Sequence, residues 1–159
     1  SERGDRDALL AGLFPALSAI ETDMTLFFRA LPELPDDSRD AMLHALRDAF
    51  YDLDGADRTQ LDVLTTWLEQ YRECVRAEGA SRDERRARMH AVNPLYLPRN
   101  YLLQQVIDAT QAGDRAALAD FMQVLAHPYD RQPGREAFAA KRPDWARHKP
   151  GCSMLSCSS

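Results

Sequence analysis

Apolar residues recur three and four positions apart along most of the chain, and nowhere do they alternate over a run long enough for a half-buried strand. Only helices place such residues on one face, so the pattern restricts the fold to packed helices. The expected class is therefore all-α, an irregular domain of about six helices with an extended C-terminal tail. Leu9, Leu10, Leu13, Leu17 and Ile20 open the first stripe, and Met24, Phe27, Phe28 and Leu31 continue it. Pro15 lies inside this stripe and is expected to kink or split the helix near Gly12 and Leu13, because proline removes a backbone donor and crowds the preceding turn. Pro32 and Pro35 end the unit.

A second helix is expected over 37–52, burying Met42, Leu43, Leu46 and Phe50, with Asp54-Gly55 as the turn after it. The clearest element is 57–78, where Leu61, Leu64, Leu68, Tyr71 and Val75 share a face and Gly79 supplies the stop. Cys74 flanks that face beside Trp67 and Tyr71 and reads as a small packed residue. Ser81 to Glu84 has the spacing of a capping box and starts a short, very polar helix that Asn93-Pro94 ends. A helical hairpin follows, with Pro98 in the first turn of a helix to 112, Gly113 closing it, and Asp114 capping a helix to 125. Val106, Ile107, Ala109, Ala117, Leu118, Phe121, Val124 and Leu125 are its expected buried residues. Beyond His127-Pro128 only 135–140 reads as helical, and the remainder is expected to be an extended tail held by Trp145. The expected organisation is a helical body over 1–130 and a basic tail over 131–159. One hairpin is too little for a repeat array, which needs several stacked copies.

At 159 residues and a net charge of −5 the chain suits one domain of ordinary size. No apolar run approaches the ~20 residues of a membrane span, and no signal-peptide order opens the chain. A soluble chain is expected, without membrane partners. Residue 1 is Ser, which suggests a piece of something longer. Basic residues concentrate in 131–149, where Arg131, Arg135, Lys141, Arg142, Arg147 and Lys149 face only Glu136 and Asp144. The acidic remainder argues against a nucleic-acid partner, while the basic stretch suits a solvated linker or a dock on the chain's own body or on phosphate.

Little in the sequence carries catalysis. Asp52-Leu53-Asp54-Gly55 opens like a calcium loop, but Asp57 and Val63 stand where that loop requires glycine and glutamate. His148, Cys152 and Cys157 match no standard zinc spacing, and no metal site is expected. Nucleophile elbow, glycine-rich phosphate loop and supported carboxylate pair are all missing, so no catalytic or cofactor-binding residue is assigned. Asp5, Asp7, Asp36 and Asp37 suit helix starts. Three cysteines, Cys74, Cys152 and Cys157, cannot all pair with one another, which points to a reducing compartment and one or two redox-active thiols rather than a disulfide framework. Cys157 lies two residues from the end of the sequence in a polar tail, where packing does not require a thiol. Arg147, His148 and Lys149 favour its thiolate if the chain folds back, and the terminal carboxylate opposes it. Cys152 is near enough to pair with Cys157, as a resolving thiol or by adventitious oxidation.

Several short segments occur in a telling order: Asp23-Met24-Thr25 with Phe28-Arg29-Ala30-Leu31, then Asn93-Pro94, Arg99-Asn100-Tyr101-Leu102, His127-Pro128-Tyr129, Pro143-Asp144-Trp145 and the final Cys157-Ser158-Ser159. This succession resembles the C-terminal region of the selenoprotein O (SelO, YdiU) family, and the likeness runs over essentially the whole chain. The resemblance implies a kinase-like parent that binds ATP and Mg²⁺ and transfers AMP to Ser, Thr or Tyr hydroxyls of proteins. It implies that the nucleotide- and metal-holding residues lie upstream, that this fragment alone is inactive and needs no cofactor, and that its partners are the upstream kinase-like domain and the protein substrates. It also implies a cytoplasmic location in bacteria, mitochondrial in eukaryotic relatives. Cys157 matches the family's terminal cysteine or selenocysteine, implicated in a disulfide with a cysteine of the activation segment; Cys152 has no counterpart in that pattern. Two other readings stay open from the residues themselves: a stand-alone helical interaction module, and a thiol-based redox protein cycling Cys157 with Cys152.

Overall fold

The computed structural model describes residues 2–153. It is all-α: the described residues contain helices, 3-10 turns and one isolated bridge between Thr22 and Phe50. The helices are α1 (Glu2–Ala19), α2 (Met24–Ala30), α3 (Arg39–Ala45), α4 (Arg58–Glu78), α5 (Arg82–Val92), α6 (Asn100–Gln111), α7 (Ala116–Ala126) and the short α8 (Pro150–Ser153). The chain divides into two compact units, the first ending at His90 and the second beginning at Ala91, so the expected boundary at residue 130 falls inside the second unit. Among the described residues no helix is long and apolar enough to cross a membrane.

The first unit is organised by α1 lying along α4. Of the two expected effects of Pro15, a kink or a split, the split does not occur: α1 runs through it. One lost backbone bond is outweighed by burial, since Ala16, Leu17 and Ile20 sink into the core beside Leu64, Trp67 and Leu68 of α4. Trp67 adds a bond of its own, its Nε1 donating to the Leu9 carbonyl at 2.9 Å. The indole stacks on Tyr71, with ring centroids 5.6 Å apart, and leans on Phe27. Gly12 makes room for it: a Cβ there would lie 3.1 Å from Trp67 Cδ1.

The apolar stripe that continues past Ile20 in the sequence is broken in the structure. Residues 21–23 form a short crossing with 49–51, in which Asp23 N donates to Ala49 O at 2.7 Å and Tyr51 N to Glu21 O at 3.0 Å. Asp23 then caps α2 by accepting from Leu26 N at 3.0 Å. The helix expected over 37–52 is shorter for the same reason. It stops at Ala45, passes through a 3-10 turn (Arg47–Ala49) and hands Phe50 to the crossing. By contrast α4 begins and ends as expected. Asp57 and Gln60 make a reciprocal capping box, and Gly79 closes the helix at φ 71, a left-handed value that glycine adopts without strain. Ser81 and Glu84 likewise pair across the first turn of α5.

The second unit contains the α6–α7 hairpin, turned at Gly113 with φ 97. Its core matches the expected one in part: Phe121 and Val124 are buried as expected and are joined by Tyr101 and Leu102, whereas Ile107 and Leu118 are exposed. The inward stripe of α6 is thus set by its first turn, and Ile107 falls on the opposite face. Residues 131–153 are not an extended tail. They form two 3-10 turns (Glu136–Ala139 and Asp144–Arg147) and α8, and they deliver Phe138, Ala146 and Cys152 to the hairpin's core. Trp145 is half-exposed and meets Tyr101 edge-on at 6.3 Å, so its small neighbour Ala146 is the residue that is fully buried.

Candidate functional site

Cys157, the first candidate, lies outside the described residues. Cys152 is 6% exposed and packs in the cluster formed with Tyr101, Leu102, Phe121 and Ala146. Its amide donates to Lys149 O at 2.9 Å, within the turn that starts α8. A thiol so placed behaves as a small apolar side chain, and pairing it with another cysteine requires α8 to come away from the hairpin. Cys74 is half-buried and lines a groove of about 430 Å³ between α1 and α4 with Asp5, Arg6, Glu73 and Glu78. His148 is exposed at the end of a 3-10 turn. Among the described residues no three His, Cys, Asp or Glu side chains converge as a metal site would need.

The segments that carry the family resemblance do structural work. Asp23 is the buried cap of α2. Arg29 is buried and donates from Nη1 to the His90 carbonyl at 3.2 Å, and the His90 ring Nε2 lies 3.0 Å from the Arg29 carbonyl, so the end of α2 is tied to the end of α5. In the second unit the amides of Leu95 and Tyr96 both donate to the Pro128 carbonyl, at 2.7 and 3.1 Å. Tyr96 Oη accepts from Gln132 N at 3.1 Å, and Tyr101 Oη donates to Ala140 O at 2.5 Å. Arg99 is buried where α6 begins. These side chains hold loops to helices.

One polar cluster escaped the sequence reading. Arg72 and Arg76 on α4 and Arg82 and Arg85 on α5 line a cleft of about 340 Å³ together with Asp36 and Tyr71. Arg76 grips Asp36 with two bonds, Nη2 to Oδ1 at 2.5 Å and Nε to Oδ2 at 3.3 Å, and this holds the Asp36 carboxyl below its ordinary value. Arg72 Nη1 donates to Asp37 O at 2.7 Å and Arg82 Nη2 to Leu34 O at 2.8 Å. Burial pushes the Tyr71 hydroxyl pKa up. The signal in the sequence was an Arg pair four apart at the end of one helix and another three apart at the start of the next, across the Gly79 turn.

These observations define a helical part of a protein in which Asp23, Arg29, Tyr96 and Tyr101 cap helices and clasp loops to them. The chain matches the family described as SelO, Protein adenylyltransferase SelO, over residues 1–126. It is also similar to proteins named "Protein nucleotidyltransferase YdiU". It is 48% identical over 157 residues to that of Aromatoleum aromaticum, covering 98% of this chain and 29% of the relative. To that of Tolumonas auensis it is 52% identical over 151 residues, covering 95% and 28%. To that of Rhodopirellula baltica it is 44% identical over 164 residues, covering 96% and 30%. The chain belongs to the SelO family of protein adenylyltransferases, and it spans less than a third of the length of these relatives.

Proposed function

We propose that this chain is the C-terminal helical region of a SelO-type protein adenylyltransferase, which transfers AMP from ATP to Ser, Thr or Tyr hydroxyls of protein substrates in the bacterial cytoplasm. The observation that carries the proposal is the match over nearly the whole chain to relatives more than three times as long. Family membership, together with a chain that spans less than a third of its relatives, supports assigning ATP and Mg²⁺ to a kinase-like remainder of the parent, with this region in a supporting role. Leu10 and Phe14, one turn apart on the outer face of α1, are 66% and 68% exposed, and they offer that remainder an apolar surface. Cys157 is the redox-sensitive thiol of the tail, and Cys152 supports the fold unless α8 is released.

Incubation with ATP labelled at the α-phosphate, with Mg²⁺, tests the assignment. The full-length parent is expected to label protein hydroxyls, the parent lacking these residues to lose that activity, and the 159-residue chain alone to label nothing. Robust labelling by the chain alone, or none by the intact parent, overturns it. Insensitivity of the parent's transfer both to reductant and to Cys157→Ser removes the redox role.

A further inference from the structure

The arginine cleft of the first unit has the makings of an oxyanion site. Four guanidiniums, from Arg72, Arg76, Arg82 and Arg85, line it against one carboxylate, Asp36, in a chain whose net charge is −5. Asp36 occupies Arg76 alone. Arg72 and Arg82 each spend a donor on a neutral backbone carbonyl, which fixes their position without cancelling their charge. Two further donors are left over: Nε of Arg72 and Nε of Arg85 are buried and meet no hydrogen-bond acceptor. A buried donor without a partner costs about 1–3 kcal/mol, and a turn of either guanidinium toward an anion in the cleft would offset that cost. Like charges gathered on the facing ends of two helices add a repulsion that an anion relieves.

We propose that this cleft binds a small phosphate oxyanion, either orthophosphate or diphosphate. The tetrahedral oxyanion supplies several acceptors in a small volume and suits the planar fork of arginine, and about 340 Å³ admits either form. Arg76 and Asp36 form one wall, already neutral, and Arg72, Arg82 and Arg85 furnish the charge that the ligand answers. The cleft is built entirely within the first unit, so binding does not depend on the remainder of the parent or on its activity.

Titration of the 159-residue chain with sodium diphosphate, and separately with orthophosphate, tests the site by calorimetry and by NMR of the arginine Nε–Hε resonances. Saturable binding is expected, with the Arg72 and Arg85 signals shifting, and with affinity falling as salt rises. Tighter binding of diphosphate identifies that form as the better ligand, and equal binding identifies a single-phosphate site. Arg85→Gln is expected to weaken binding by about tenfold or more, the loss of one charge-assisted contact. Arg58→Gln, which removes a side chain 95% exposed at the far end of α4, is expected to leave it unchanged. The NMR titration of the unaltered chain decides the matter even if Arg85→Gln fails to fold. Absence of saturable binding up to about 10 mM of both anions, roughly ten-thousandfold above a micromolar dissociation constant, overturns the site. So does Arg58 shifting as much as Arg72 and Arg85, or an Arg85→Gln variant that folds and binds as the original does.

Discussion

Replacing Gly12 by alanine sets two effects of opposite sign against each other. Alanine is favoured over glycine in a helix interior by about 0.8–1.0 kcal/mol, and position 12 lies mid-way along α1. The added methyl would sit 3.1 Å from Trp67 Cδ1, a few tenths of an ångström too close. Whether the indole can retreat decides the result. It is held by the Nε1 bond to Leu9 O, by Tyr71 stacked on one face and by Phe27 beside it, and it is almost fully buried. Overpacking a well-filled contact costs about 1–3 kcal/mol. The net expectation is destabilisation of about 1 kcal/mol, the propensity gain offsetting part of the clash. In a Trp67→Leu background the obstacle is gone, and the same Gly12→Ala change is expected to stabilise by about 0.5–1 kcal/mol. Amide hydrogen exchange at Leu64 and Leu68, deep in the same unit, reports its opening free energy in all four proteins and closes the double-mutant cycle. Stabilisation by Gly12→Ala with Trp67 present, or the same effect in both backgrounds, would show that the indole is free to move and that the packing argument is wrong.

Two further outcomes are expected. Native-state alkylation with mass mapping should modify Cys157 and the half-buried Cys74 before Cys152, which becomes accessible only on unfolding; early labelling of Cys152 would mean that α8 is undocked in solution. Asp108 accepts from Lys149 Nζ and from Gln104, and these bonds hold its carboxyl below the ordinary 3.8. A carboxylate with a depressed folded-state pKa contributes stability that is present above its unfolded value and is lost as pH falls through the folded one. Acidification below about pH 4 should therefore loosen the Lys149 end of the second unit in the original chain and do so less in Asp108→Asn, read as protease susceptibility against pH; identical acid limbs would refute the pairing.

What could be read from the sequence was whatever local chemistry decides. The ends of α4, the start of α5 and the hairpin turn rest on Asp57, Gly79, Ser81, Glu84 and Gly113, each acting on neighbours within four residues. The break at 21–23 was hidden because it depends on a crossing with 49–51, a contact that periodicity does not encode. The same holds for 131–153, where short turns form because Phe138, Ala146 and Cys152 have a hairpin to pack on. Ile107 and Leu118 illustrate the limit of counting apolar positions: the stripe was seen, but the face that turns inward was fixed by Tyr101, Leu102, Phe121 and Val124. The arginine cleft depends on the chain reversing at Gly79, which lets Arg72 and Arg76 of α4 and Arg82 and Arg85 of α5 share a wall.

The two hydrogen bonds from the Leu95 and Tyr96 amides to the carbonyl of Pro128 tie together the two ends of the α6–α7 hairpin, like a drawstring around a loop whose tip at 112–114 is exposed. A single cut at that tip would separate the chain into two pieces that still share the clasp at one end and the helix-to-helix packing along their length. Such pieces should remain associated and reassemble when mixed, which makes the tip a place for splitting the protein into complementing halves or for inserting a foreign segment without loss of the surrounding fold.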